Sequence, residues 1–506
     1  MVKTAKKIIN KKLVLAFLSL STFMIFLDGT VVNTALPDMA RDFTATNATL
    51  QWIVNMYSLI LAGFLLFAGS VGDKYGRKLV LGAGMAVFGL ASVGAALANS
   101  TDMLIAMRGL QGLGAAFALP ATLSIITNVF PRNERGKAIA TWTAIGSLGI
   151  AFGPVIGGYL VDQIGWNAVF WVHVPVVLLA LYGLKFIPES KEVNQTPLDV
   201  PGAVLGTGAM LAIVYAIIQG GEAGWTDTTI IASFVGGFAL LLAFLVSQMR
   251  SKNPMLPLKY FKQKDFSGSF LVLLLVFLGM VGVFFFLTQY YQLVQGRTAL
   301  AAGLAIAPVT ITMIMGTMIS AKTVPKYGPR NVIIASTLVI IAGMAIFNQL
   351  QVDSSIWLPI SGILLFGLGA GTIMPTVTDS IMASVSVDDA GVGSAMNDLS
   401  RELGLALGIA ILGSVVTANY RSTIDEKAHA ILPAESVDQL SESIASVGPI
   451  TAELPAEAAQ QVTIIANNAF VDALSVGFIG AALFVVSALV VAVLFIPKRS
   501  RTSQAN

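Results

Sequence analysis

The stretch GLGAAFALP at residues 112–120 reappears as GLGAGTIMP at residues 367–375, an offset of 255 residues. The same offset pairs four further glycines: Gly136 with Gly391, Gly149 with Gly404, Gly153 with Gly408, and Gly158 with Gly413. A shorter match places KYG at 74–76 and again at 326–328, an offset of 252 residues. Self-similarity at a nearly fixed spacing indicates a duplication, so the chain is predicted to fold as two equivalent halves.

The sequence around these matches consists of long apolar runs separated by short charged clusters. Hydrophobic residues make up 56% of the 506 and charged residues only 11%, and the mean hydropathy is +0.80. A soluble domain carries about 25% charged residues. Hydropathy over a window of about 19 residues predicts fourteen spans: 13–36, 50–71, 79–99, 102–127, 138–161, 166–187, 200–218, 229–247, 268–292, 302–321, 332–350, 357–379, 396–419 and 472–496. Each is close to the ~20 residues that a helix needs to cross ~30 Å of hydrocarbon.

The repeat divides the fourteen spans into six, two and six, because spans 4 and 5 correspond to spans 12 and 13. The predicted fold class is therefore an all-α membrane protein of two six-helix bundles with two inserted helices. The predicted domains are residues 1–190, residues 191–260 (spans 7 and 8 with their flanking loops), and residues 261–506, which include a long loop at 420–471.

Lys and Arg are distributed unequally between the two sides. An even number of spans places both termini on one side, and the loops on that side carry 25 of the 30 basic residues, with Arg401 counted in the loop before span 13. The opposite side carries four, which are Arg41, Arg297, Arg421 and Lys427. The positive-inside rule therefore predicts a multi-pass protein of the cytoplasmic membrane with both termini in the cytoplasm.

Composition also argues against several classes of function. A net charge of +3 from scattered basic residues does not favour nucleic-acid binding. The absence of cysteine and the presence of only two histidines argue against disulfides, metal sites and a membrane-embedded enzyme. No GxxxxGK[ST] loop is present, so ATP is not the predicted energy source. We expect no cofactor, and a channel or sensor is disfavoured by the six-two-six repeat.

Five motifs lie in order on the predicted spans, and together they carry a resemblance to a known family. They are LDGTVVNTALP (27–37), QWIVNMYSL (51–59), GSVGDKYGRK (69–78), RGLQGLGAA (108–116) and GIAFGPVIGG (149–158). The chain resembles the fourteen-span drug:proton antiporters of the major facilitator superfamily, the QacA-like multidrug exporters. The resemblance implies a monomer in membrane lipid that exchanges protons for hydrophobic, often cationic, drugs or dyes bound between the halves. The alternative is a dedicated exporter of one endogenous solute, such as a lipid, peptide or antibiotic.

Four charged residues inside the spans are candidates for proton or cation coupling. A charge in hydrocarbon costs at least ~2.5 kcal/mol, so such residues are functional candidates by default. Asp28 in span 1 and Arg108 in span 4 lie at similar depths, so they could pair statically, or Asp28 could exchange a proton for a cationic substrate with Arg108 tuning it. Asp398 and Glu402 share one face of span 13. Asp398 could simply begin the helix, and Glu402 is the deeper candidate for a second site.

Two motifs are candidates for conformational gating. Asp73, Gly76 and Arg77 lie in the loop after span 2, where Asp73 could form a breakable latch, although the second copy has Pro325 in its place. Gly153, Pro154, Gly157 and Gly158 belong to the span 5 motif, whose glycines at spacing four would let another helix approach closely. We expect Gly153, Pro154 and Gly157 to lie where span 5 meets a span of the other half and seals it, although ordinary helix packing would also explain small residues there.

Side chains for a substrate pocket are less sharply indicated. Polar and aromatic residues and a methionine could line an adaptable site for flat apolar cations: Trp52, Asn55, Tyr57, Phe285, Tyr290 and Met313. His173 is interpreted as a hydrogen-bonded structural residue, although a lone membrane histidine can relay protons. In the loop at 420–471, Val437, Leu440, Ile444 and Val447 have helical spacing, which allows either a solvated hairpin or a flap over the outer exit.

Overall fold

The computed structural model describes residues 10–191, 197–385 and 390–496. Fourteen helices or helix pairs in these ranges are long and apolar enough to cross a membrane, as the sequence predicted. The described residues contain no β-strand. Six of the basic residues used for the orientation lie outside the described ranges, namely Lys3, Lys6, Lys7, Lys498, Arg499 and Arg501. We refer below to the terminal face, where the first spanning helix begins and the last one ends, and to the opposite face.

The first six spans comprise seven helices, because the sixth span is broken. They are α1 Lys11–Asp42, α2 Asn47–Tyr75, α3 Arg77–Ala96, α4 Thr101–Val129, α5 Arg132–Gln163, α6 Ala168–Trp171 and α7 His173–Gly183. Side chains of Asn10, Thr46 and Ser100 cap the amino ends of α1, α2 and α4, because a side-chain oxygen satisfies an amide that has no partner within the helix. The break between α6 and α7 lies at Val172.

The two predicted inserted helices are α8 Val200–Ala223 and α9 Thr228–Arg250. Helix α8 packs against α2 and, from the other side, against a long helix of the second half, whereas α9 packs mainly on α8. Glu222 fixes the end of α8 to both halves, because its side chain accepts a hydrogen bond from Ala48 N (3.1 Å) and its carbonyl accepts one from Arg421 Nη1 (2.8 Å). The inserted pair therefore covers one edge of the seam between the halves.

The second half contains the remaining six spans. They are formed by α10 Lys264–Gln289 with a π turn at Tyr290–Val294, α11 Ala299–Ile306 continued by α12 Pro308–Tyr327, α13 Pro329–Phe347, α14 Trp357–Ala383, α15 Ala390–Ala428 and α18 Ala456–Phe495. The tenth span is divided at Ala307, directly before Pro308. The backbone nitrogen of proline carries no hydrogen, so it cannot donate a helical hydrogen bond.

The duplication is visible in the packing of equivalent helices. A Cβ on Gly149 would meet the α1 backbone at Leu27 N (2.9 Å), and a Cβ on Gly404 would meet the α10 backbone at Leu278 N (3.2 Å). Glycine in α5 and its repeat partner in α15 thus allow the same close approach to the first helix of each half. The two halves therefore share this contact between equivalent helices.

The segment at 420–471 is largely helical, and this corrects the predicted ends of spans 13 and 14. Helix α15 continues to Ala428, and α18 begins at Ala456 rather than near residue 472. Between them lie the short helices α16 Ala434–Glu442 and α17 Val447–Ala452. Val437, Leu440 and Ile444 are buried, as their helical spacing suggested, and they pack into the main core cluster together with Met39 of α1.

Candidate functional site

A salt bridge between Asp28 and Arg108 lies in the interior of the first half. Arg108 Nη1 donates to both carboxylate oxygens of Asp28, at 2.9 Å to Oδ1 and 2.7 Å to Oδ2, and both side chains are at most 1% exposed. Arg108 Nε donates to the Ile53 carbonyl (3.0 Å), and the guanidinium lies over the Tyr57 ring at 4.5 Å. Both groups are buried away from water, so each charge is stabilised by the opposite charge instead of by hydration.

Three further buried side chains close this pair into a ring. Gln111, three residues after Arg108, accepts from Arg108 Nη1 (2.9 Å) and donates from Nε2 to Ser92 Oγ (2.9 Å). Ser92 Oγ lies 3.5 Å from His173 Nδ1, and His173 Nε2 lies 3.7 Å from Asp28 Oδ1. The ring joins α1, α3, α4 and α7, and none of its five side chains is more than 1% exposed. We call it the Asp28 ring.

A second charged cluster, the Arg401 group, lies in α15 and consists of Asp398, Arg401 and Glu402. Arg401 Nη2 is 3.6 Å from Asp398 Oδ1 and 3.3 Å from Glu402 Oε1. Glu402 is buried, whereas the Asp398 side chain is 20% exposed, in keeping with the predicted difference in depth. The group holds two carboxylates and one guanidinium, so its formal charge with both acids ionised is −1.

The Arg401 group meets the first half of the molecule. The Arg401 guanidinium lies over the Phe26 ring of α1 at 4.9 Å. The Ser58 side chain of α2 lies beside Glu402, and the adjacent residue Tyr57 contacts the Asp28 ring through Arg108. The two charged clusters therefore approach each other across the seam on either side of residues 57 and 58.

Arg401 corrects the charge count made from the sequence. It was assigned to a loop of the terminal side, but it lies inside α15, with its side chain only 14% exposed. The predicted span 396–419 already includes residue 401, but the charge count grouped this arginine with the loop before the span, because hydropathy alone does not separate an interfacial arginine from an embedded one. The asymmetry of the remaining basic residues is unchanged by this correction.

The loop motif after α2 is held together within itself. Arg77 Nε and Nη2 donate to Asp73 Oδ1 at 2.9 and 2.8 Å, across the turn at Gly76. Gly76 has φ +120°, a conformation that side chains disfavour, and a Cβ there would lie 2.7 Å from Glu189 Oε1. Glu189 caps α3 by accepting from Lys78 N (3.0 Å). Asp73 thus pairs inside its own loop here, and its role as a latch stays a prediction.

The span 5 motif divides between two neighbours, which corrects one expectation. Gly153 and Gly157 face α1 of their own half, where a Cβ on Gly157 would lie 2.9 Å from Val31 Cγ2. Gly158 and the Pro154 carbonyl instead meet the second half, at Ala299 and at Gly303 of α11. A spacing of four identifies a shared helix face, but it does not identify the helix that packs on that face.

The opposite face of the seam is closed by hydrogen bonds between the halves. Asp162, at the end of α5, accepts from Ala299 N (2.9 Å) and Leu300 N (3.0 Å) in the first turn of α11. Gln292 Nε2 donates to the Thr34 carbonyl (3.0 Å) in a buried contact. Asp162 was not predicted from the sequence, because an acidic residue at a helix end resembles an ordinary interfacial charge.

The predicted pocket residues do not form one cluster. Tyr57 contacts Arg108, Trp52 packs on Tyr215 of α8, and Phe285 packs edge-on against Phe286. Tyr290 donates to the Gln351 carbonyl (2.6 Å), Met313 lies against Gly371 of α14, and Asn55 is fully buried with both amide atoms unpartnered. Their assignment to a substrate pocket stays a prediction. In the described ranges no three His, Asp or Glu side chains are placed to hold a metal ion.

Comparison with known proteins relates this arrangement to transporters. The Major Facilitator Superfamily model matches residues 18–409. The multidrug efflux pump LfrA of Mycolicibacterium smegmatis is 35% identical over 479 residues, which cover 94% of each chain. The puromycin resistance protein pur8 of Streptomyces alboniger is 35% identical over 421 residues, covering 82% of this chain and 83% of its own.

A solved structure agrees with the fold. The crystal structure of a bacterial homolog to the human lysosomal transporter Spinster, inward-facing and unoccupied, matches with a TM-score of 0.63 and 18% identity. The match covers 97% of this chain and 99% of that chain. The family match, the relatives and the fold agree, and the chain therefore belongs to the Major Facilitator Superfamily, among relatives that include multidrug efflux pumps.

Proposed function

We propose that this protein is a proton-coupled antiporter that exports hydrophobic, often cationic, drugs or dyes across the cytoplasmic membrane. Protons moving inward drive the export, and neither ATP nor a bound cofactor takes part. The functional unit is the monomer, with both termini in the cytoplasm. Membership of the superfamily supports transport, and the names of the relatives LfrA and pur8 support drugs as the class of substrate.

The observation that carries the proposal is the excess negative charge of the Arg401 group at the seam. In the Asp28 ring, one carboxylate is matched by one guanidinium, because Arg108 donates to both oxygens of Asp28. In the Arg401 group, two carboxylates share one guanidinium. A buried excess negative charge is neutralised either by a proton or by a cationic substrate, and this mutual exclusion is the basis of antiport.

The two clusters have complementary roles in this proposal. Glu402 and Asp398 bind either the proton or the cation, and Arg401 prevents both acids from being neutralised at once. Asp28 and Arg108 couple the protonation state to the first half through Tyr57 and Ser58. The closed opposite face prevents exchange with that side until the contacts of Asp162 and Gln292 break, so the protein exposes the clusters to one side at a time.

The alternative of a dedicated exporter of one endogenous solute is less well supported. LfrA, named as a multidrug efflux pump, aligns with 94% of the chain. The distinction is nevertheless measurable, because a dedicated exporter would protect cells against one compound and its analogues only.

The test is a panel of drug and dye sensitivities in cells with and without the protein, followed by ethidium efflux from energised cells. We expect resistance to several unrelated cationic compounds, and efflux that stops when an ionophore dissipates the proton gradient. Efflux that persists without the gradient would contradict proton coupling. Resistance confined to a single chemical class would favour the dedicated exporter.

The orientation is tested independently, because the chain contains no cysteine. A single cysteine at exposed Lys252 on the terminal face should react with an impermeant maleimide only after the cells are permeabilised. A single cysteine at exposed Glu442 on the opposite face should react in intact cells. The reverse pattern would invert the proposed orientation.

A further inference from the structure

The hydrogen atoms of the Asp28 ring can be assigned from its partners. Arg108 can only donate, so the atom of Gln111 that faces it is the amide oxygen, and the amide nitrogen donates to Ser92 Oγ. The Ser92 hydroxyl lies 2.8 Å from the Phe88 carbonyl, which can only accept. The single hydrogen of Ser92 is therefore used, and its oxygen can only accept from any further partner.

That further partner is His173. Its Nδ1 lies 3.5 Å from Ser92 Oγ, so in the neutral imidazole the hydrogen is carried by Nδ1. The imidazole is held in place by the edge-on ring of Phe88, at 5.4 Å between centroids. Nε2 then presents a lone pair, and it has no hydrogen-bond partner in the structure.

The lone pair of His173 Nε2 faces a second acceptor. Asp28 Oδ1 lies 3.7 Å away, and both side chains are fully buried. Two acceptors without a hydrogen between them repel each other, and one proton converts this contact into a charge-assisted hydrogen bond of ~2.8 Å. The charged or titratable groups around this contact are Asp28 on α1, Arg108 on α4 and Tyr57 on α2, and α3 contributes the uncharged Ser92.

We propose that His173 Nε2 and Asp28 Oδ1 together form a proton-binding site, in which the proton is bound covalently by His173 and accepted by Asp28. The inference rests on the proposed function and adds to it the atom that receives a proton in the first half. Proton binding adds one N–H bond and one positive charge, and no other bond changes. Because the proton is on the imidazole, Asp28 stays ionised and keeps its bridge to Arg108.

This arrangement resolves a conflict within the first half. If Asp28 itself took the proton, Arg108 would lose the carboxylate that is paired with it and remain as a buried charge, which costs several kcal/mol. With the proton on His173, the Asp28 carboxylate lies between the Arg108 guanidinium and the His173 imidazolium. The Asp28 ring then gains one positive charge and keeps the salt bridge between Asp28 and Arg108. Ser92 and Gln111 are positioning residues, because they determine which imidazole nitrogen is free.

The tautomer and the protonation can be measured directly, because the chain has only two histidines, His173 and His429. The protein is labelled with ¹⁵N-histidine in lipid, and a His429→Gln variant leaves His173 as the single imidazole. We expect the Nδ1–H tautomer at high pH and a change of the Nε2 resonance to the protonated form on acidification. Ser92→Ala should reduce the preference for Nδ1–H.

Either of two results from this measurement would overturn the proposal. One is an Nε2–H tautomer in the neutral protein, which would place a hydrogen where the lone pair is assigned. The other is an imidazole that stays neutral at every pH at which the protein remains folded. Neither result depends on transport, so the proton site can fail while the antiport function stands.

A transport-related measurement distinguishes failure of the proton site from failure of the proposed antiport function. Proton release on addition of ethidium is measured for purified wild-type protein, for His173→Asn, which keeps a donor towards Ser92 but has no group at Nε2, and for His429→Gln. We expect His173→Asn still to bind the dye but to release fewer protons than the wild type, because the proton assigned to His173 Nε2 is missing. We expect His429→Gln to release as many protons as the wild type. Wild-type release from His173→Asn refutes the proton site, and no release from the wild type refutes the proposed function.

Discussion

A buried carboxylate keeps its charge only where donors or cations replace the water that it has lost. Asp28 has this replacement in Arg108, and Glu402 has it in Arg401. The negative charges of the two acids are balanced to different degrees. Arg108 pairs with the Asp28 carboxylate, whereas Arg401 is shared between the carboxylates of Glu402 and Asp398. At the scale of single residues, we therefore expect different effects when each acid is neutralised.

Replacing Asp28 with Asn should abolish export of monovalent cationic dyes while the protein still inserts. The amide oxygen can accept one hydrogen bond from Arg108, but the guanidinium and His173 lose the only carboxylate between them. The measurement is ethidium efflux, with size-exclusion chromatography to confirm folding. Asp38→Asn is the matched control, because Asp38 lies in the same helix and pairs with Arg41 outside the ring. Efflux at the wild-type rate in Asp28→Asn would remove this residue from the coupling mechanism.

Glu402→Gln should weaken proton coupling or narrow the range of substrates, and Asp398→Asn should do less. The reason is that Glu402 is buried and contacts the first half, whereas Asp398 is partly exposed and can be solvated in part by water. Dye-induced proton release compares the two variants in the same detergent. If both changes leave the release intact, the Arg401 group is a packing feature and the proposed cation site is wrong.

At the scale of helices, the contact between α1 and α5 and the equivalent contact between α10 and α15 place the small residue on different helices. In the first half, Gly157 of α5 leaves room for Val31 of α1. In the second half, the position equivalent to Gly157 is Leu412 of α15, and it packs against Gly282 of α10. Val31 and Gly282 are related by 251 residues, the offset that also relates Leu27 to Leu278. The small and the large residue have thus exchanged helices.

This exchange predicts a compensating pair of substitutions. Gly157→Leu should hold α1 and α5 apart, because its Cβ alone would lie 2.9 Å from Val31 Cγ2, and the protein should fail to sustain a substrate gradient. Adding Val31→Gly removes the Cγ2 contact and places a glycine opposite the leucine, as in the second half, and it should restore part of the gradient, with the Thr34 side chain and the backbone carbonyl of residue 31 limiting the recovery. Gradients are measured in proteoliposomes.

Leu412→Gly serves as the comparison from the second half. It removes bulk from a site that already has a glycine opposite, so it should leave a void, destabilise the protein by ~2–5 kcal/mol and leave the seal of the first half intact. A full gradient in Gly157→Leu alone would show that close approach of α1 and α5 does not contribute to sealing.

At the scale of the whole molecule, the opposite face is closed by a helix end rather than by a second salt bridge. The carboxylate of Asp162 accepts the free amides of the first turn of α11, where the helix dipole also favours negative charge. Gly158 allows this approach, because a Cβ there would lie 2.6 Å from Leu300 Cα. The carboxylate and this close approach together join the end of α5 to the start of α11.

Asp162→Ala should shift the protein towards the form that is open at the opposite face. Loss of a capping carboxylate costs ~1 kcal/mol, so we expect roughly a fivefold change in the equilibrium between the two forms. The readout is the rate at which a single cysteine at buried Ala299 reacts with maleimide in purified protein. Asp162→Asn should give an intermediate rate because one acceptor remains, and identical rates in all three proteins would exclude Asp162 from the closure.

The number of spans, the six-two-six order and the depth of Asp28 and Arg108 were predictable, because hydropathy and repeats depend only on position along the chain. Partners between helices were not predictable in the same way. Gly157 faces α1 rather than the other half, and Arg401 lies over the Phe26 ring. Neither neighbour could be predicted, because the spacing of residues along a helix identifies which of them share a face but not which helix packs against that face. Contacts at helix ends, such as those of Asp162, depend on tertiary structure and carry no motif.

The position of α8 makes the two edges of the seam unequal for a solute that arrives through the lipid. At one edge, α8 bridges α2 and α15, with α9 on its outer side. At the other edge, α5 packs directly on α11. A lipid-dissolved compound that approaches the first edge meets α8 and α9, which belong to neither half, whereas at the second edge it meets α5 and α11 of the two halves directly. Lateral access to the transport path is therefore asymmetric.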